Sequence, residues 1–188
     1  MAASKMCDQK RLERPTDSLS RLIATILDQH HAYLKLELPL IETLLAEVAH
    51  TEPGTFRQTA SALSPIFLRF RRELEAHMKR EEVTLFPLIL RLEEAIGHGR
   101  PAPRNSFGPL SNPIQFMNED HDFENKLLST MAEISHGFAF PPDAPPPYTA
   151  LMTRLRALQL DLDEHVRKED EVLFPEAIRL EETENLNE

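Results

Sequence analysis

One pattern, used twice, limits what this chain can fold into. HMKREEVTLFPLILRLEE (residues 77–94) aligns without gaps on HVRKEDEVLFPEAIRLEE (residues 165–182), 88 positions later. The shared frame is H-x-[KR]-[KR]-E-[ED]-x-x-LFP-x-x-x-RLEE. The apolar residues ahead of it repeat as well: Leu63, Phe67, Phe70 and Leu74 match Leu151, Leu155, Leu158 and Leu162. Steps of three and four mark one face of an α-helix. The segments before these match more loosely. DQHHAYLKLELPLIETLLAEVAH carries His31, and NEDHDFENKLLSTMAEISH carries His121, 90 residues on. A chain repeated this way folds as two helical hairpins related by a pseudo-two-fold axis.

Breaks rich in Gly and Pro separate the helices: TEPGT (51–55), GHGRPAPRNSFGPLSNP (97–113) and GFAFPPDAPPPY (137–148). Helix one is expected from about Thr16 to Ala49, capped by Asp17 or Ser18 and bent at Pro39. Its stripe reads Ile23, Leu27, His31, Leu34, Leu38, Ile41, Leu45, Val48. Helix two runs to about Ala95 and starts either near Thr55 or at Ser64-Pro65. Its stripe is Leu63, Phe67, Phe70, Leu74, His77, Glu81, Leu85, Leu88, Leu92. Helix three is expected from Asn112-Pro113 to His136-Gly137, with Gly137 at C′. Helix four runs from about Pro147 to Glu182, its stripe ending His165, Glu169, Leu173, Ala177, Leu180. The expected fold is all-α, an antiparallel up-down four-helix bundle. Its hairpins cover 16–96 and 112–184, joined by a linker over 97–111, behind a flexible N-terminus over 1–15. A length of 188 residues suits one such domain.

The formal net charge of −10 argues against nucleic acid and anionic membrane surfaces as partners, since both need a basic patch. Cys7 is the single cysteine, which excludes a disulfide framework and a thiolate metal cluster. No apolar run approaches a membrane span, and MAASKMCDQK has no apolar signal-peptide core. The expectation is a soluble, cytoplasmic protein. Eight histidines are about double what average composition gives a chain this long.

Four of those histidines carry the chemistry. His77 with Glu81, and His165 with Glu169, stand four residues apart and hence one turn apart on one helix face. Both pairs lie inside stripes that are otherwise almost wholly Leu and Phe. A carboxylate buried there is costly unless paired or bound to metal, and no Arg or Lys occupies these stripes. Two such glutamates facing each other repel, so one would take a proton. A lone His on an apolar face is more often a hydrogen-bonded core residue than a ligand. Two His–Glu pairs in register, with a further His from each remaining helix, point instead to metal. Imidazole and carboxylate without thiolate suit iron, manganese or zinc. Four His and two Glu are too many for one tetrahedral zinc. They suit two metals, each Glu bridging and two His per ion, with a solvent-derived oxo or hydroxo bridge and an open position. Ferritin-like bundles instead use E-x-x-H with lone glutamates.

Through HHAYLKLELPLIETLL, HMKREEVTLFPLI, EDHD and HVRKEDEVLFP, over about residues 20–180, the chain resembles the hemerythrin-like (HHE cation-binding) family. Within that family it looks most like the repair-of-iron-centres di-iron proteins. The resemblance implies the ligands His31, His77, Glu81, His121, His165 and Glu169 around two iron ions. Oxygen-carrying hemerythrins use a fifth His and an Asp. The symmetric set here favours the repair branch. Repair proteins of this branch often carry a cysteine-bearing domain ahead of the bundle, whereas about 15 residues precede helix one here, with Cys7 alone. Three functions follow. One is a stress-response protein that handles NO or supplies iron to damaged iron–sulfur centres. Another is a carrier or sensor of O2 or NO. The third is a di-iron oxidase or peroxidase. The implied partners are O2, NO or peroxide, and iron–sulfur proteins.

The remaining residues of note are these. His30 is the alternative to His31, because residues 19, 22, 26 and 30 also form an apolar line; stripe and family frame favour His31. Glu82 and Asp170 adjoin the bridging candidates. Asp170 gives the H-x4-D spacing of oxygen carriers, but the repeat register favours Glu169. His50 and His136 at helix ends and His98 in a linker read as structural or solvated. Pro87 and Pro175 read as kinks that taper the bundle, and Tyr33 and Asp120 as a second layer around the metal.

Overall fold

The computed structural model describes residues 18–101 and 106–185. Among the described residues every regular element is helical. Helix α1 spans 19–51, α2 spans 54–97, α3 spans Ser111–Ile134 and α4 spans 146–185. α1 packs against both α2 and α4, and α3 packs against α2. This is the antiparallel four-helix bundle that the repeat predicts. Cys7, the segment 1–15 and the alternative cap Asp17 lie outside the described residues.

Helix ends explain part of the repeat. Ser18 caps α1, its Oγ accepting from the Arg21 N–H. The Glu93 carboxylate then reaches over from α2 and accepts from the N–H groups of Leu19 and Ser20, at 2.8 and 3.0 Å. Its repeat partner Glu181 accepts from the Leu110 N–H at the start of α3, at 2.8 Å. The matched RLEE therefore supplies each hairpin's first helix with a carboxylate for its unpaired N–H groups and its positive end.

Some boundaries differ from expectation. α2 starts at Gly54, and Ser64-Pro65 lies inside it. Ser64 bonds back to the Ala60 carbonyl at 2.8 Å, and Pro65 is exposed, so the missing N–H leaves its gap toward water. α3 starts at Ser111, two residues ahead of Pro113, with Leu110 rather than Asn112 at the cap. After α3, His136 takes the C′ place with φ 52°, and Gly137 follows with φ 75°. The Gly137 N–H closes the turn on the Ala132 carbonyl at 2.7 Å.

Three π-helical turns interrupt the long helices: Ile26–His31, Glu81–Leu85 and Glu169–Leu173. Pro87 and Pro175 follow the second and third directly. A proline inside a helix lacks the N–H for the carbonyl four residues back and crowds it. A widened turn absorbs one residue there, so these prolines, read from the sequence as kinks, each accompany a π-turn. The first π-turn has no such proline. It shifts the register of α1: Ile23, Ile26 and His30 are buried before the slip, and His31, Leu34 and Leu38 after it. Leu27, expected in the stripe, is consequently half-buried while Ile26 is fully buried.

The core is split. One apolar cluster gathers Leu34, Leu38, Phe67, Phe70, Leu74, Leu155, Leu158 and their neighbours. The other gathers Ile23, Ile26, Phe86, Ile89, Ile114, Leu173 and Phe174. Between them lies a polar layer.

Candidate metal centre

The six sequence-predicted side chains form that layer, and all are buried. They fall into two groups of four. His31, Glu81, His165 and Glu169 form one; His77, Glu81, His121 and Glu169 form the other. Within each, one donor atom per residue lies within 4.8 Å of the rest. Both glutamates belong to both groups. Spacing along the chain left the pairing of histidines open; the bundle pairs α1 with α4 and α2 with α3.

The contacts have the form a bridge requires. Glu81 Oε2 stands 3.2 Å from His31 Nε2 and 3.3 Å from His77 Nε2. Glu169 Oε2 is 3.2 Å from His121 Nε2, and its Oε1 is 2.9 Å from His165 Nε2. Each carboxylate thus touches one histidine of each group. Both Glu81 oxygens, Glu169 Oε2 and His31 Nε2 are buried without a hydrogen-bond partner. His77 Nε2 and His121 Nε2 face each other at 3.3 Å. Unpartnered donors converging on two points are what a pair of cations would satisfy, so the residues fit two metal ions.

The outer nitrogens are held differently. His31 Nδ1 donates to Glu82 Oε1 at 2.7 Å, and His121 Nδ1 to Asp170 Oδ1 at 3.0 Å. A carboxylate only accepts, so Nδ1 keeps its proton and Nε2 is the nitrogen that faces inward, free to ligate once any proton on it leaves. Glu82 and Asp170, repeat partners, orient these histidines and are in neither group of four. Asp120 Oδ2 lies 3.6 Å from His77 Nδ1 and pairs with Arg80. His165 Nδ1 has no hydrogen-bond partner; the His30 ring stacks on His165 at 5.3 Å. His30 accepts from Lys168 Nζ at 2.7 Å and donates to Asp161 at 2.9 Å. Both its nitrogens are therefore engaged outside the cluster. No contact joins Tyr33 to the six side chains among the interactions described. His50, His98 and His136 are exposed.

Charge follows from this packing. Burial opposes ionisation of Glu169, but the charges and hydrogen bonds of His165 and His121 outweigh it and hold the carboxyl well below its usual range. Burial also works against protonation of His121, yet Asp170 and Glu169 bring it up to about 9. His77 is raised well above its usual value despite burial, through Glu81 and Asp120, and His165 is raised through Glu169. His30 is lowered, chiefly by burial.

Sequence reasoning missed Glu124. It lies on α3, three residues past His121, is 1 % exposed, and neither carboxylate oxygen has a partner. Burial pushes its carboxyl up to about 7. The signal was available: an acidic residue on the line Met117, His121, Leu128, Met131, all buried.

Residues 22–177 match the hemerythrin HHE cation binding domain. The chain is 31% identical over 166 residues to an iron–sulfur cluster repair protein YtfE of Edwardsiella ictaluri, covering 88% of this chain and 67% of that one. It is 28% identical over 162 residues to proteins of the same name from Salmonella paratyphi B and Salmonella newport, covering 86% of this chain and 66% of theirs. The chain thus spans about two thirds of the length of these relatives. No helix among the described residues is long and apolar enough to cross a membrane.

Proposed function

The chain belongs to the hemerythrin HHE cation-binding family, and from that premise we propose that it holds two iron ions bridged by Glu81 and Glu169 and acts in the repair of iron–sulfur centres under nitrosative or oxidative stress. The observation that carries this reading is the sharing of both glutamates by two four-residue donor groups. The names of its relatives supply the repair role. His31 and His165 would serve one ion, His77 and His121 the other. A bound iron pair would supply redox chemistry and an open position for NO or O2.

The chain's own residues set the conditions. Glu82 and Asp170 keep the Nδ1 protons of His31 and His121 in place, which fixes the ligating nitrogen. The apolar clusters above and below keep bulk water from the layer. The raised histidines hold protons when no metal is present, so metal uptake releases protons and acid favours metal loss. A centre that exchanges iron against protons suits a donor of iron.

The test is anaerobic ferrous loading of the full chain, then exposure to NO and separately to O2 while the visible spectrum is recorded. Transfer of iron to an apo iron–sulfur protein is measured in parallel. About two irons per chain, an iron–nitrosyl spectrum and transfer of iron are expected. One zinc per chain, or no metal after ferrous loading, overturns the di-iron reading. Reversible O2 binding without iron transfer assigns the carrier role instead, and repeated turnover of peroxide with a reductant assigns an oxidase or peroxidase.

A further inference from the structure

We propose that Glu124 is a further carboxylate ligand for the ion on the His77–His121 side, so that the two metal positions of this centre are unequal. The inference rests on the reading that the cluster binds metal. Glu124 is 1 % exposed, and both its oxygens are shut from water without a hydrogen-bond partner. Its electrostatic neighbours are His77, His121, Asp120 and Glu81. Asp120 itself is paired with Arg80. The only cationic neighbours of Glu124 are therefore the protonated forms of His77 and His121 themselves; once those rings give up their protons to bind an ion, the ion is what neutralises this carboxylate.

Among the described residues the other half, apart from the shared glutamates, has no carboxylate with both oxygens unpartnered: Asp161 has one such oxygen, but its other oxygen accepts from His30 and its side chain is 20% exposed. In the looser repeat His121 corresponds to His31, and Glu124 to Leu34. Leu34 is fully buried and packs in the apolar cluster. A fully buried third carboxylate with both oxygens unpartnered therefore stands on one side of the pair. Glu124 is outside both tight groups of four. It would join the ion by rotation about its own side-chain torsions, from a position one helical turn past His121.

The experiment compares the full-length protein with Glu124→Gln and Glu124→Leu, the second copying Leu34. Each is titrated anaerobically with ferrous ion, competed with a ferrous chelator and examined by Mössbauer spectroscopy. The expected result is two ions in the parent, and in both variants one ion held as before with the other about tenfold or more weaker. One of the two Mössbauer signals should change and the other should not. The metal-free variants should unfold at a higher temperature than the metal-free parent, because a partnerless buried carboxyl has gone. Thermal shift alone, with unchanged ferrous affinity and both signals unchanged, overturns the inference and makes Glu124 a structural residue. Should Glu124→Leu not fold, the isosteric Gln variant decides by the same readouts. A parent that binds no ferrous ion overturns the metal reading itself; a parent with two ions and indifferent variants overturns the role of Glu124 alone.

Discussion

The two halves of the candidate centre share the repeated side chains and differ in the unrepeated ones around them. On the His77–His121 side stand Asp120, Asp170 and Glu124, with Arg80 paired to Asp120. On the His31–His165 side stand Glu82 and Asp161, matched by Lys35 and Lys168, with His30 stacked on His165. Asp120 and His30 occupy equivalent places ahead of the lone histidines, and Arg80 and Lys168 equivalent places in the repeat. The repeated residues thus fix what can bind, while the unrepeated ones set the local field. The first half carries excess negative charge and should attract and retain a cation more strongly.

The largest effect that bears on this comparison is removal of what the halves share. Glu81→Ala or Glu169→Ala should lower iron to less than about one per chain, since each deletes a donor from both groups. Metal analysis after anaerobic loading measures it. If both single variants kept full iron and an unchanged spectrum, the bridging role would be lost.

Next comes pH. His121 titrates at about 9 in the metal-free fold, above its unfolded value. Its contribution to the stability of the metal-free protein is full below about 6.5 and disappears as pH rises through about 9. Ferrous affinity must run the other way, rising by about tenfold per pH unit for each proton displaced. Titrations from mildly acid to mildly alkaline pH, with proton release followed in weak buffer, check both slopes. Affinity independent of pH would mean that the histidines are not the donors.

Glu82→Gln and Asp170→Asn address one half each. Losing the carboxylate charge behind Nδ1 should weaken the adjoining position about 10–100-fold and spare the other. Chelator competition resolves the two positions. Equal losses at both would show that the halves are not independent.

The smallest effect compares the hairpins. Glu93→Ala and Glu181→Ala each remove a helix-end carboxylate, for about 1 kcal/mol and a fall of about 2–4 °C in Tm. Iron content should stay the same. A cap variant that loses iron would tie the helix ends to the centre.

Much of this was legible from periodicity. A stripe at steps of three and four must face a core, and a His–Glu pair inside it must be satisfied there; His77, Glu81, His165 and Glu169 follow from that alone. His31 was harder. Residues 26 and 30 and residues 31, 34 and 38 form two different lines, and the π-turn over Ile26–His31 joins them. A straight helix of constant pitch buries one line or the other, which is why Leu27 was placed in the core and Ile26 was not. The partners of the outer nitrogens were also hidden, although Glu82 and Asp170 stood in the repeated frame. Their partners lie on other helices, 51 and 49 residues away. Glu124 went unread because it has no counterpart in the repeat.

The sequence by itself determined the helices, their pairing into two hairpins and the burial of the two His–Glu pairs, because burial of an apolar face is a periodic property of the chain. Tertiary structure decided which histidine stands beside which, what holds each outer nitrogen and that one half carries an extra buried carboxylate. Those outcomes depend on which helices adjoin and how far each is rotated about its axis. Packing of the whole bundle sets both, and no local period encodes them.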